Sequence, residues 1–318
     1  HHCRAPVTKQ PVIQLQNIIK DYGSLRALHK VNMTVQSGIT GLLGPNGAGK
    51  TTMIKVLLGL VRASSGRGSV LGYDLMSQPR QIRSVVGYMP EDDCYIAGLS
   101  GVEMVQFAAR LSGQPVIEGL RRAHEILDFC GVDQERYRTV DTYSTGMRQR
   151  LMFAQAIVHD PALLILDEPT AGLDPEERQS MLNRIGILVR TTGKAVLLST
   201  HILPDVQSCC DNVVIMARGT VRRTETLEVL SKPTSPALFV RTTTSPDALI
   251  ARIQREGGEV ALRDDGSLVV DSRNQRVIRE LWQWAEECGV SIRTLKPSRN
   301  SLEEVFLDAV RGDSRADS

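Results

Sequence analysis

Three short apolar runs stand out from the pattern of hydrophobic and polar positions along this chain: residues 39–43, 162–166 and 195–199. None of them alternates with polar residues, which is typical of strands that are buried on both faces of a parallel sheet. The stretches 52–58 and 151–157 instead carry apolar residues at helical spacing. The pattern therefore predicts an α/β fold built around a parallel sheet.

A change of pattern after Val229 predicts a second, smaller domain. Residues 231–236 are rich in Ser and Pro, as expected of a linker. The elements predicted beyond the linker follow the order βαββαβ of a ferredoxin-like α+β module. They are strands 237–243, 259–263, 268–270 and 290–295, and helices 246–254 and 275–287, the last with Trp282 on its apolar face. The predicted organisation is an N-terminal tail 1–10, a first domain 11–230, a linker 231–236, a second domain 237–310 and a tail 311–318.

Composition and charge narrow the class of protein. Of the 318 residues, 42% are hydrophobic and 23% are charged, and the net charge is only +2. The chain is therefore globular, and it lacks the basic excess of a nucleic-acid-binding surface. It has no apolar run near the length of about 18 residues that a membrane-spanning helix needs. Its six cysteines show no C-x-x-C spacing, so we expect a soluble chain with reduced thiols and neither a zinc site nor disulfides.

The residues from Gly44 to Thr52 match the phosphate-loop pattern G-x-x-x-x-G-K-[ST], and they lie between the first apolar run and a helix. Glycines there let backbone N–H groups approach phosphate oxygens at a helix N-terminus. Lys50 is expected to contact the β- and γ-phosphates, and the Thr51 hydroxyl to ligate Mg²⁺. The predicted nucleotide contacts are Gly44, Pro45, Asn46, Gly47, Ala48, Gly49, Lys50, Thr51 and Thr52.

A pair of acids ends the second apolar run. Asp167 and Glu168 follow it directly, and open α/β sheets place ligands at the carboxyl ends of their strands. Asp167 is predicted to hold Mg²⁺ through its shell, and Glu168 to face the γ-phosphate. Taken alone, the pair also fits a capped turn. The phosphate loop upstream favours the metal.

Further motifs give the chain a family resemblance. They are Tyr22, Glu91 in GYMPE, Tyr143–Arg150 (YSTGMRQR), residues 171–174 (AGLD) and residues 199–201 (STH). Together with the phosphate loop and the acidic strand, these motifs resemble, in order, those of ABC transporter ATP-binding subunits over residues 12–229. Glu91 and the stretch 301–307 resemble the corresponding residues in the ATP-binding subunits of ABC-2 type exporters of drugs, lipids and polysaccharides.

The resemblance implies a fold and a dimer. The implied fold is the P-loop NTPase fold of an ABC cassette, with a core parallel sheet, an antiparallel β part and a helical signature subdomain. Two such subunits bind ATP head to tail, so Ser144, Gly146 and Met147 would cap the ATP of a partner, and Asp174 would contact it across the interface. The implied partners are a second ATP-binding subunit, in a homodimer, and separately encoded transmembrane permease subunits. The implied location is the cytoplasmic face of the plasma membrane.

The resemblance also implies hydrolysis of ATP with Mg²⁺. Glu168 would polarise the attacking water, and His201 would contact both Glu168 and the γ-phosphate. Tyr22 would stack on the adenine ring. Glu91 would reach Mg²⁺ or the attacking water by a carboxylate oxygen.

Two departures from the family pattern and one alternative remain. Position 91 is Glu where the family most often has Gln, and the signature carries Thr145 and Met147 in place of Gly and Gln. The alternative function is a non-transport ABC ATPase, regulatory or associated with nucleic acid. The sequence does not identify the transported substrate.

Overall fold

The computed structural model describes residues 10–230, 237–263, 265–271 and 275–297, together with Phe306 and Ala309. Its strands are β1 Ile13–Tyr22, β2 Leu25–Val35, β3 Ile39–Leu43, β4 Ser65–Val70, β5 Tyr73–Asp74, β6 Val86–Met89, β7 Leu163–Asp167, β8 Ala195–Thr200, β9 Asn212–Ala217, β10 Thr220–Thr226, β11 Ala237–Thr242, β12 Val260–Leu262, β13 Leu268–Asp271 and β14 Ile292–Pro297. Its α-helices are α1 Lys50–Leu57, α2 Pro79–Val85, α3 Gly101–Leu111, α4 Val116–Cys130, α5 Thr145–Ile157, α6 Pro175–Thr192, α7 Leu203–Cys209, α8 Leu227–Leu230, α9 Asp247–Arg255 and α10 Gln275–Glu287.

Six strands form the central sheet, in the order β10-β9-β3-β8-β7-β6. Every neighbouring pair is parallel except β9 with β10. The three apolar runs form β3, β8 and β7, which lie side by side within the sheet, so the predicted parallel core is confirmed. Because parallel strands end at the same edge, the phosphate loop, the two acids and residue 201 meet at the carboxyl ends of these three strands.

One apolar core joins this sheet to a second, antiparallel sheet of order β2-β1-β4-β5. Buried members come from both sheets and from α1, including Ile13, Leu28, Met53, Leu42 and Ile165. The phosphate-loop helix is therefore packed between the two sheets. This packing fixes the start of α1 at the carboxyl edge of the central sheet.

Helices α3, α4 and α5 pack against one another as a helical subdomain. A capping box starts α3, because the Ser100 side chain accepts from the Glu103 N–H while the Glu103 carboxylate accepts from the Ser100 N–H. Gly131, in the left-handed region with φ 69°, ends α4. Ser144 caps the start of α5 by accepting from the Met147 N–H at 3.2 Å.

The second unit has the predicted order βαββαβ and an antiparallel sheet of order β12-β13-β11-β14. This is the ferredoxin-like arrangement, with α9 and α10 supplying the helices. The prediction for Trp282 is wrong, because its side chain is 54% exposed whereas Trp284 is 2% exposed. Val277, Leu281 and Trp284 follow the helical spacing i, i+4, i+7 toward the core, and Trp282 is one residue out of that phase.

The boundary between the two units falls between Leu227 and Glu228. The predicted linker 231–236, the tails 1–9 and 311–318 and the family-like stretch 301–305 lie outside the described residues. Among the residues that the structure does describe, no helix is both long and apolar enough to cross a bilayer.

Candidate active site

The phosphate loop ends in a helix N-terminus that no side chain caps within the described chain. Gly49, with φ 97°, precedes the first residue of α1, and Gly47 has φ 77°. These left-handed conformations favour glycine and turn the backbone sharply. A Cβ at Gly44 would lie 2.5 Å from the Met216 carbonyl oxygen, so this position needs glycine for close packing. The first N–H groups of α1 are thus available for an anion.

Lys50 is buried at the base of this loop. Its ammonium donates to the Gly44 carbonyl at 2.8 Å and lies 3.5 Å from Oε1 of Glu168. A buried ammonium needs such partners, because burying an unpaired charge is costly. The side chain thereby links the loop at the end of β3 to the acid after β7.

Asp167 and Glu168 are both buried at the carboxyl end of β7. Both carboxylate oxygens of Asp167 lack a hydrogen bond of good geometry in the described part of the chain. Burial raises the pKa of Asp167, and the charges of Glu91 and Glu168 raise it further, against the opposing influence of the Ser199 hydroxyl and of Lys50. A buried carboxylate whose oxygens accept no well-formed hydrogen bond is a position that suits a cation or its water ligands.

Glu168 is held in a strained conformation and faces His201. Its φ of 49° lies in the left-handed region, and its N–H donates to the Ser199 carbonyl at 2.9 Å. Oε2 of Glu168 lies 3.0 Å from Nδ1 of His201, which follows β8 directly. The carboxylate therefore lies between the Lys50 ammonium on one side and the imidazole on the other.

A cavity of about 540 Å³ opens over Lys50, Asp167 and Glu168, and His201 is not part of its lining. The lining includes the loop from Asn46 to Thr52 and the acids Glu91, Asp167 and Glu168. The three acids share one cavity, yet among the described residues no group of three His, Cys, Asp or Glu side chains is close enough to hold a metal ion. A cation would therefore need further oxygens, such as the Thr51 hydroxyl and phosphate oxygens.

Sequence reasoning missed part of the lining. Leu25, Arg26, Ala27 and His29 on β2 face the cavity, as do Arg218 and Gly219 after β9. Gly219 packs closely there, since a Cβ on it would overlap the Ala27 carbonyl oxygen. For the β2 residues, the only signal in the sequence was their position just after Tyr22 and Gly23. They reach the cavity because β2 contacts a distant part of the chain, which no local pattern shows.

Tyr22 and the signature residues lie outside the lining of this cavity. Tyr22 ends β1 with its ring 43% exposed, and the Lys20 ammonium lies 4.7 Å from the ring centroid. Ser144 caps α5, and Asp174 caps α6 by accepting from the Glu177 N–H at 2.8 Å. Within one chain, the signature and the cavity are therefore separate.

Comparison with known proteins places the chain in a family. The ABC transporter family profile matches residues 28–171. The uncharacterised ABC transporter ATP-binding protein YdbJ of Bacillus subtilis is 33% identical over 301 residues, 94% of this chain and 96% of that protein. The chain belongs to the ABC transporter ATP-binding proteins. The daunorubicin/doxorubicin resistance ATP-binding protein DrrA of Streptomyces peucetius is 32% identical, over 93% of this ABC protein and 91% of DrrA.

A solved structure described as the ATP-binding subunit of an ABC transporter has the same fold. It superposes with a TM-score of 0.62 at 31% identity, over 69% of this chain and 91% of that one. The predicted cassette fold and the predicted ATPase are confirmed. This ABC protein is an ATP-hydrolysing subunit, and nothing in the comparisons favours the regulatory or nucleic-acid-associated alternative.

Proposed function

We propose that this ABC protein hydrolyses ATP at the interface of a head-to-tail dimer and thereby drives export through separate membrane permease subunits. The observation that carries the proposal is the position of Glu168, buried at the end of β7 between Lys50 and His201. In this position its carboxylate has a partner on each side, and it faces the cavity of the phosphate loop. Such an acid is placed to take a proton from water.

The described residues divide the work of phosphoryl transfer. The N–H groups of the loop and the Lys50 ammonium bind the phosphates and stabilise the charge that develops on them. Glu168 accepts the proton of the attacking water, and the His201 imidazole holds the Glu168 carboxylate in place. The role of His201 depends on the hydrogen-bond distance of 3.0 Å between its Nδ1 and Oε2 of Glu168.

Mg²⁺ fits the acidic side of the cavity. Asp167 offers two buried oxygens that accept no well-formed hydrogen bond in the described chain, and Thr51 and Glu91 line the same cavity. We assign these three residues as the groups that hold the ion directly or through water. When bound, the ion would neutralise charge on the β- and γ-phosphate oxygens.

A second subunit completes the site. Ser144, Gly146, Met147 and Asp174 do not line the cavity of their own chain. A nucleotide bound there would meet the start of α5 only from another copy, as in a head-to-tail dimer. The remaining N–H groups at the start of α5 and the Ser144 hydroxyl would then face the γ-phosphate, with Asp174 at the same interface. We assign Tyr22 to the adenine ring by the same family pattern.

The permease is expected to dock on the helical subdomain. Five large apolar side chains are exposed where α3 ends and α4 begins: Phe107, Leu111, Val116, Ile117 and Leu120. Ile117 is 85% exposed and Leu111 is 74% exposed. An apolar cluster of this kind is typical of a protein interface. The drug resistance named for DrrA supports export, and a permease partner would hold this subunit at the inner face of the membrane.

The variant Glu168→Gln tests the ATPase and the dimer together. The amide still hydrogen-bonds but cannot accept the proton, so we expect turnover to fall by at least about 100-fold while ATP still binds. The variant should accumulate as an ATP-bound dimer in size-exclusion chromatography with light scattering. Unchanged phosphate release together with a monomer in ATP would contradict both roles. Glu176→Gln, an exposed acid in the first turn of α6, is the control.

Polar substitution of the exposed cluster tests the docking surface. We expect Leu111→Ser with Ile117→Ser to leave ATP hydrolysis by the isolated subunit unchanged and to remove most co-purification with the co-expressed permease. Ile187→Ser, on α6 and 43% exposed, is the matched control and should co-purify like wild type. Equal co-purification of all three proteins would contradict this surface.

A further inference from the structure

Glu177 connects the start of α6 to the start of α5. It is the third residue of α6, and its N–H donates to the Asp174 side chain at 2.8 Å. Its own side chain does not stay on α6. One carboxylate oxygen lies 3.4 Å from the Arg150 guanidinium on α5, so a residue next to the Asp174 cap reaches the helix that the signature residues begin.

The same carboxylate occupies the space beside Gly146. A Cβ built on Gly146 would overlap a Glu177 oxygen and lie 2.5 Å from the carboxyl carbon. Gly146 is the second residue of α5 and does not have positive φ. Its backbone conformation therefore does not require glycine, and alanine is the better helix former. Within this chain, the group that a Cβ at position 146 would displace is the carboxylate end of the Glu177 side chain.

Charge favours this arrangement. The N-termini of α5 and α6 lie close together, each carrying the positive end of a helix dipole. A carboxylate in contact with both reduces their mutual repulsion, and Arg150 balances its charge. The loop before α6 also packs on the signature, since a Cβ at Gly172 would lie 3.3 Å from Thr145.

The next residue of the same turn reaches the hydrolysis side. The Arg178 guanidinium lies 3.9 Å from the Asp205 carboxylate, which is buried and accepts a hydrogen bond from Thr170. Thr170 follows Glu168 by two residues, and Asp205 lies on α7 after His201. One turn of α6 therefore contacts the signature helix α5 through Glu177 and, through Arg178, the segments that carry Glu168 and His201.

We propose that Glu177 is a positioning residue that holds the signature segment, Ser144–Met147, in register with Asp174. This proposal rests on the proposed dimer, because the signature segment acts on the nucleotide of the partner subunit. Glu177 itself does not contact the nucleotide. It sets the angle and distance at which the start of α5 meets the γ-phosphate, and glycine at position 146 leaves free the space that the Glu177 carboxylate occupies.

A double-mutant cycle tests the proposal in a parent chain that carries Glu168→Gln, so that the ATP-bound dimer persists. The four chains carry neither change, Gly146→Ala, Glu177→Ala or both, and the readout is the ATP concentration for half-maximal dimerisation by light scattering. We expect Gly146→Ala to raise it by more than about 30-fold when Glu177 is present. With Glu177→Ala the same change should add less than about threefold, since the overlap is gone.

Additive effects in the cycle would overturn the proposal, because they would mean that the partner nucleotide, not Glu177, requires glycine. Failure of the parent chain to dimerise in ATP would refute the proposed function instead. The two failures are therefore distinguishable. Far-ultraviolet circular dichroism of each chain checks that it folds.

Glu177→Gln separates positioning from bulk. The amide keeps the size but loses the charge that faces Arg150 and the two helix N-termini. We expect the ATP affinity of the monomer, measured by calorimetry, to stay within about twofold, while the KM for hydrolysis rises about tenfold. Glu176→Gln, its exposed neighbour, is the matched control. Equal KM values for both variants would overturn the proposal.

Discussion

At the scale of residues, the site keeps features that work against stability. Asp167 is a buried carboxylate that accepts no well-formed hydrogen bond in the described chain. Glu168 has φ 49°, a conformation that costs on the order of 1–3 kcal/mol for a residue other than glycine. Such features persist where a ligand uses them. Here both belong to the two residues that face the loop, for which we propose roles in hydrolysis and metal binding.

Asp167→Asn should raise the stability of the chain without nucleotide and weaken its stabilisation by Mg²⁺ with ATP. Burial raises the pKa of Asp167, so the unfolded chain releases this proton at lower pH than the folded one, and stability falls as pH rises through that window. At pH 7 the charged form therefore lowers the free energy of unfolding. We expect Asp167→Asn to raise the Tm without nucleotide by about 2–4 °C, equivalent to about 1 kcal/mol, and to abolish most of the added stabilisation by Mg²⁺ with ATP. A Tm equal to or below wild type would contradict this.

A magnesium titration of ATPase activity, compared between wild type and Glu91→Gln, separates metal binding by Glu91 from a contact of Glu91 with the permease. If the Glu91 carboxylate shares the metal with Asp167, the Mg²⁺ concentration for half-maximal ATPase activity should be higher in Glu91→Gln, because the variant lacks one negative charge at the metal. Coincident curves would assign Glu91 to the partner permease instead. Its like-charge influence on Asp167 favours the first outcome.

Motif-bearing residues were the predictable part of the site. Lys50, Glu168 and His201 each come after an apolar run, and the carboxyl ends of parallel strands lie at one edge of a sheet, so their meeting could be predicted once the runs were identified as strands of one parallel sheet. Arg26 and Arg218 could not be predicted, because they reach the cavity through pairing of distant strands. Their roles depend on tertiary structure and carry no local pattern.

At the scale of elements, the uniform apolar runs predicted the strands correctly. The helical pattern of residues 275–287 predicted a helix correctly but assigned the wrong tryptophan to its buried face. Helix α10 has the predicted bounds, 275–287. The sequence places two tryptophans two residues apart, about 200° around a helix, so only one can lie on the buried face. The neighbours Val277 and Leu281 decide for Trp284.

The two tryptophans provide a matched pair of variants for the second unit. Trp284→Ala removes the largest buried side chain of its core and should cost about 3–5 kcal/mol, enough to unfold so small a unit. Trp282→Ala should be within about 0.5 kcal/mol of wild type, because the side chain is 54% exposed. Limited proteolysis of full-length protein checks both. Equal sensitivity of the two variants would contradict the assigned core.

At the scale of the molecule, each unit has a core of its own. The buried members of the cluster around α1 run from Ile13 to Met216, and those of the second unit run from Val240 to Val290. The cavity lining ends at Gly219. All residues that line the proposed nucleotide cavity therefore belong to the first unit. The motifs and apolar runs were enough to predict the cassette fold, and the order βαββαβ to predict the second fold. The boundary after Leu227 depends on contacts between distant residues, which the sequence does not show.

Deletion of residues 235–318 should consequently leave a chain that folds and binds ATP. We expect its ATP affinity by calorimetry to stay within about twofold of full length, because every residue that lines the cavity is retained. The lifetime of the ATP-bound dimer, or coupling to the permease, should change instead. A chain that lacks only residues 308–318 is the control, since it keeps both cores. A truncated chain that cannot fold, or that folds without binding ATP, would show that the nucleotide site depends on the second unit.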